Sequence, residues 1–372
     1  MGGLSLIVLL AAAEAAPLPT DVAEYLEKVA RFAPDRVAAL QAGEAIVKTA
    51  ADEKGEISII GAVRIRTTKE HVQLYFDELL KFEDGVMVLR VGRFGDPPVL
   101  QDVARLELEP GDVEALRGCE PRDCDVKVGA GIAELRAAID WRAPDAVARV
   151  NAFVRQRLVD YVKAYREKGD AALVTYDDRS KPVSLAGQWH GLLANARYFH
   201  DYAPLLARYL EDYPRSTLEG AHDFVQWTKI DQGMKPVVAV THVVLYRDPA
   251  RTDRLTVALK QIYASHYFEG AFSLATIVQA GPPEGPPVSY VVFANRTLTD
   301  ILRGAFGGVK RKVTGDAIQK GTLLMLQQMQ EGLERAAGVR WRRAAAQPPR
   351  AMVIATRRAP RRTIAIPMPQ GW

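Results

Sequence analysis

VVAVTHVVLYRDPARTDRLTVALKQIYASHYFEGAFSLATIVQAGPPEGPPVSYVVFAN, residues 237–295, is the stretch that decides the fold of this chain. Val238, Val240, His242, Val244 and Tyr246 recur at every second position, the period of a β-strand with a buried face. Arg247-Asp248-Pro249 turns the chain. Leu255 to Val278 reads as two strands, or as one bent sharply at Glu269-Gly270. The GPPEGPP run at 281–287 is a loop, and 288–295 is a further strand. Strands joined this tightly predict an antiparallel sheet.

Outward from the sheet, helical periods take over. Val313 to Ala336 reads as a long helix with Ile318, Thr322, Met325, Met329 and Leu333 on its inner stripe. Upstream, Val147, Val150, Val154, Leu158, Tyr161 and Tyr165 predict a helix over 145–167 that starts at Pro144. A second helical zone covers about 188–212. Ile57, Ile59, Gly61, Val63 and Ile65 alternate as a strand, and His71 to Phe82 is an amphipathic helix. Residues 86–94 and 99–108 read as strands on either side of Gly-Asp-Pro-Pro at 95–98. Near the start, Thr20 or Asp21 caps a helix carrying Val22, Tyr25, Leu26, Val29 and Phe32. Pro34 interrupts it, and helix resumes to about Lys48.

This order predicts an α+β fold, a curved antiparallel sheet packed on a long C-terminal helix. The division expected is a signal peptide (1–15), an N-terminal helical segment (16–56), an α+β domain (57–337) and a tail (338–372). The α+β domain carries a helical insertion at about 130–222. In element order alone, the plan resembles START-like, helix-grip lipid-binding domains. Three phrases, VTYDDRSKPVSL (174–185), KQIYASHYF (260–268) and FANRTLTDILRGAFGGVKRK (293–312), also resemble an uncharacterised family of exported bacterial proteins. That second resemblance implies export and brings no activity with it.

The two ends bear on location. Leu4 to Ala13 is an apolar run of signal-peptide length, and Ala13-Glu14-Ala15 gives the small-x-small cleavage pattern. No Lys or Arg precedes the run, so the alternative is a short uncleaved anchor or a wrongly placed start codon. The expectation is a periplasmic or secreted protein. From Gly338 onward there are eight arginines, five prolines and no acid, so the formal charge of +4 becomes −4 for residues 1–337. This tail reads as disordered. An anionic membrane surface is a fitting partner for an exported protein, nucleic acid is not, and a solvated tail is the alternative. Cys119 and Cys124 are the only cysteines, and in an oxidising compartment they plausibly close a disulfide; a redox pair or half a metal site are the competing readings.

Signatures of catalysis are sparse. HExxH, GxSxG and a P-loop are all missing. Gly129-Ala130-Gly131 opens a helix as a dinucleotide fingerprint would, but the sixth position is Glu134, whose charge would repel a pyrophosphate. Neither a metal nor a cofactor is expected. In strand 260–268, alternation puts Lys260, Ile262, Ala264 and His266 on one face and Gln261, Tyr263, Ser265 and Tyr267 on the other. Polar groups on both faces of a core strand suggest a ligand pocket, with one face in solvent as the alternative.

The leading expectation is a lipid or other apolar small molecule held between sheet and helix, with Lys260, Tyr263, His266 and Tyr290 as its binding residues. The alternatives are an exported hydrolase-type enzyme using His266 or Asp177/Asp178, and an envelope-associated interaction protein.

Overall fold

The computed structural model describes residues 17–51, 55–79, 88–129, 131–231, 234–281, 286–302 and 307–338. The signal-like start, most of the GPPEGPP loop and the arginine-rich tail beyond Gly338 lie outside the described residues.

The chain opens with α1 (Thr20–Glu24), continued by a π-helical turn over Tyr25–Val29, then α2 (Pro34–Ala42). Pro34 sits at the first turn of α2, where its missing N–H costs nothing, and Gly43 ends the helix in the left-handed region at φ 103°. The chain then extends as β1 (Ile46–Ala51), so the helix read to Lys48 is in fact cut short by Gly43. Next come β2 (Glu56–Ile65), α3 (Lys69–Leu79) and β3 (Val88–Arg93).

After β3 the chain leaves the sheet. Residues 99–108, read as strand, form one short 3-10 turn over Leu100–Val103 and a loop. The helical insertion therefore begins sooner after β3 than expected. It contains α4 (Pro110–Gly118), α5 (Ile132–Ala138), α6 (Ala146–Lys168), a two-stranded ribbon of β4 (Thr175–Tyr176) and β5 (Val183–Ser184), α7 (Leu185–Asn195), α8 (Arg197–Tyr202) and α9 (Pro204–Asp212). The chain returns as β6 (Ala221–Ile230), β7 (Val237–Tyr246), β8 (Arg254–Ala264), β9 (Phe268–Ala280) and β10 (Val288–Thr299), and α10 (Gly307–Ala336) follows. The β8–β9 turn falls at Ser265-His266-Tyr267, with Tyr267 at φ 58°, not at Glu269-Gly270.

Among the described residues these strands form one eight-stranded antiparallel sheet in the order β1-β2-β10-β9-β8-β7-β6-β3. The early strand β2 and the last strand β10 are neighbours, so the sheet brings its beginning and end together. The fold is α+β, an antiparallel sheet with the long α10 packed on one face.

Both faces are covered. On one, Leu326, Met329 and Leu333 of α10 pack with Val63, Ile65, Ile277 and Val291. Gly61 makes that approach possible, since a Cβ there would lie 2.8 Å from Leu326 Cδ1. Met325, expected on the inner stripe, is exposed, because the helical step from Thr322 brings Leu326 inward instead. The opposite face receives the insertion and the N-terminal helices in two cores. Leu26, Leu40, Trp189 and Phe199 meet Phe272 and Tyr290 in one; Val150, Val162 and Tyr165 meet Trp227, Val240 and Ile262 in the other. No helix among the described residues is long and apolar enough to cross a membrane.

Candidate ligand-binding site

Lys260, Tyr263, His266 and Tyr290 all lie on the insertion side of the sheet, away from α10. Strict alternation assigns Tyr263 to the other face from Lys260. A β-bulge prevents that: Thr241 pairs with Gln261 and Val240 with Tyr263, leaving Ile262 as the extra residue. Tyr263 therefore shares a face with Lys260, and only Gln261 points towards α10.

Each of the four is engaged within the protein. Lys260 is fully buried and forms an ion pair with Asp170, and its ammonium lies 4.3 Å from the centre of the Trp189 ring. Burial pushes the Lys260 amine down to about 8, although Asp170 works to raise it. Local sequence explains the partner: α6 stops at Gly169, at φ 58°, where a Cβ would lie 2.0 Å from the Tyr213 carbonyl oxygen. Only glycine allows that turn, and the next residue is Asp170, which also meets Nε2 of the exposed His190 at 3.1 Å.

Beside this pair, the Tyr165 hydroxyl donates to His242 Nδ1 at 2.9 Å, and His242 Nε2 donates to Asp223 at 2.9 Å. Burial lowers the pKa of His242 despite Asp223, which keeps the ring neutral with its proton on Nε2. For Asp223, burial works to raise the pKa, but the hydrogen bonds from His242 and Tyr209 bring it below the ordinary value.

Tyr263 donates to the Lys127 carbonyl at 3.0 Å, and Tyr290 is buried beside Arg64. His266 meets Asp112 at 3.0 Å and the Asp125 carbonyl at 3.0 Å. Both ring nitrogens thus lie against oxygen atoms of the protein. The enzyme alternative calls for such a carboxylate, and the two side chains are 2% and 3% exposed. Asp178 is buried against Lys127, while Asp177 lies near Arg122. Asp177 and Asp178 thus face separate cations rather than a shared site. Cys119 and Cys124 stand at disulfide distance, Cα to Cα 4.6 Å, and the next residue, Asp125, offers its carbonyl to His266.

The other face holds a different arrangement. Its Val63–Val291–Ile277–Leu255 end is plugged by α3 and the C-terminal half of α10. Towards the other end, Ile59, Leu259 and Phe293 are only half-buried. Over this end the N-terminal half of α10 lies towards the β1 edge, where Thr49 meets Gly315 and Gln319. Beside it lie the α10-facing side chains of β10, β9 and β8. Among them runs a polar ladder: Thr297 donates to Asn295 Oδ1 at 2.9 Å, and Asn295 Nδ2 donates to Ser273 at 2.8 Å. Nearby, Gln261 Oε1 is buried with no hydrogen-bond donor among the described residues. Such an orphaned acceptor costs about 1–3 kcal/mol until something donates to it. Gln261, already notable in the sequence, is joined on this strip by Ser273, Asn295 and Thr297, which interrupt otherwise apolar alternation.

No protein-family model matches this chain, and no curated protein matches it. Among solved structures it is similar to the Zhui aromatase/cyclase from Streptomyces sp. R1128, at 15% identity over 36% of this chain and 85% of that one, with a TM-score of 0.22. A likeness at that level adds nothing to what the topology itself establishes.

Proposed function

We propose that this protein binds a lipid or other apolar small molecule in the groove between α10 and the β8–β10 floor, and that it does so outside the cytoplasm. One observation carries the reading: an apolar strip of Ile59, Leu259 and Phe293, only partly buried beside α10, is interrupted by hydrogen-bonding side chains. Apolar walls with a few fixed polar groups suit ligand binding, and removing apolar surface from water supplies roughly 25 cal/mol per Å². Lys260, Tyr263, His266 and Tyr290 support the ligand site from behind, by fixing the sheet to the insertion. Export rests on the signal-like residues 1–15, and the phrases at 174–185, 260–268 and 293–312 agree with it.

Nile red, an uncharged dye whose emission shifts to the blue in apolar surroundings, tests the groove. It should bind the intact protein, and Leu259→Trp or Ser273→Phe, which fill the groove, should weaken binding at least tenfold without lowering the unfolding temperature. Undiminished binding by both folded variants refutes the groove as the site. Fractionation of the native host, with the N-terminus of the product sequenced, tests export; an intact start in the cytoplasm refutes it.

A further inference from the structure

We infer that the outward face of α10 is an interface between two copies of this chain, packed antiparallel about a two-fold axis. One face of α10 is spent on the sheet, where Leu326, Met329 and Leu333 are buried. The opposite face is open: Leu324 is 54% and Met325 47% exposed. On that side Asp316, Lys320, Gln327, Glu331 and Arg335 are exposed as well. From Asp316 through Lys320, Leu324, Gln327 and Glu331 to Arg335 the steps are four, four, three, four and four residues. At about 3.6 residues per turn, such steps hold all six in one stripe along the helix. Asp316 and Lys320 stand one turn apart, as do Glu331 and Arg335, yet none of the four forms an ion pair among the described residues.

Along the stripe the charges run negative, positive, negative, positive, with Leu324 and Gln327 at the middle. A second copy running the opposite way sets Asp316 against Arg335, Lys320 against Glu331 and Leu324 against Gln327, because all three pairs share one midpoint, between residues 325 and 326. The two-fold axis repeats each contact, so four ion pairs flank a centre made by Leu324 and Met325 of both copies. A parallel pairing in register would instead set Asp on Asp and Lys on Lys, which repel. Two acids and two bases also suit a copy of the same stripe better than they suit the wholly basic tail. The paired stretch is about 28 Å long at about 1.5 Å per residue. An apolar centre within a charged rim is the usual build of a protein interface. A single helix pair falls at or below the roughly 1,200 Å² that marks the low end of stable complexes, so the association belongs in the micromolar range.

Sedimentation velocity of the full-length protein, from about 2 to 200 µM at moderate salt, should show a monomer passing into a dimer. Leu324→Glu should weaken the dimer at least tenfold without lowering the unfolding temperature. Lys320→Glu makes two of the four pairs repulsive and should weaken it about tenfold, and adding Glu331→Lys in the same chain should restore it. That recovery belongs to the antiparallel pairing alone, since in a parallel one neither change alters the repulsion. Carbodiimide coupling should also join Lys320 to Glu331 in the dimer, a zero-length link that one chain cannot make because the two lie about 16 Å apart along the helix. A chain still monomeric at the highest concentration overturns the inference. So does a dimer indifferent to Leu324→Glu, or one without the Lys320–Glu331 link. A monomer that dimerises only after removal of residues 339–372 makes the tail the occupant of this face and overturns it too.

Discussion

Lys260 offers a sharp test of how the insertion is held to the sheet. Its amine falls from the ordinary 10.5 to about 8 on folding, through loss of water that Asp170 only partly offsets. Each pKa unit is worth about 1.4 kcal/mol, so folding with Lys260 charged costs about 3 kcal/mol relative to a group whose pKa does not move. Between pH 8 and 10.5 the unfolded chain holds this proton and the folded chain does not. Stability therefore rises with pH in that window, the direction expected of a cation whose folded pKa is depressed. Lys260→Met fits the apolar surroundings of Trp189 and removes the titration. Urea unfolding of both proteins at pH 7, 8, 9 and 10 reads the difference, which cancels the tyrosines and other groups they share. The wild type should gain about 2–3 kcal/mol on the variant between pH 7 and pH 10. Asp170→Asn supplies the complementary arm: it strands the buried ammonium and should cost about 3–5 kcal/mol at pH 7, with much of that recovered at pH 10. A wild-type-minus-variant difference that stays flat with pH refutes the reasoning, as does an Asp170→Asn protein as stable as wild type at pH 7.

Three further outcomes follow from the structure. Gly61→Ala should destabilise by about 1–3 kcal/mol in thermal or chemical unfolding, because its Cβ would meet Leu326 at 2.8 Å, and Leu326→Ala in the same chain should remove most of the additional clash. Replacing Cys119 and Cys124 together by serine should cost about 2 kcal/mol, the chain-entropy value for so short a loop, measured against the unreduced parent in urea. Deleting residues 338–372 should abolish pelleting with anionic vesicles at low salt, while the intact chain pellets and is released as salt rises; equal pelleting of both chains removes the membrane role of the tail.

Periodicity carried most of the fold. β7, β8, β9 and β10 each announce themselves by alternation, and α6 and α10 by three- and four-residue steps, because each element buries one face. The errors arose where one residue changes the phase or ends an element. Gly43 terminates α2 in the left-handed region and frees Ile46-Val47 for β1, a stop signal readable in the sequence. Residues 99–108 alternate like a strand but pair with no strand among the described residues, and alternation cannot reveal that. The extra residue at Ile262 was invisible for a related reason: a bulge is defined by the strand opposite, so Tyr263 was assigned to the wrong face. The chemistry was less legible than the fold. Lys260 and His266 stood out as polar groups in a core strand, but their partners Asp170 and Asp112 lie 90 and 154 residues away. Only folding shows that those polar groups are already satisfied, and that Gln261 beside them is not.

The central claim, a lipid or other apolar small molecule held between α10 and the β8–β10 floor, is tested most directly by photolabelling. A monoacylglycerol carrying a diazirine in its acyl chain is irradiated with the full-length protein, and the labelled peptides are identified by mass spectrometry. Label confined to peptides containing Leu259, Ser273, Phe293 and Ile318, and competed away by unlabelled monoolein, is the predicted result. Label concentrated on α4 to α9, or spread over the surface without competition, contradicts it.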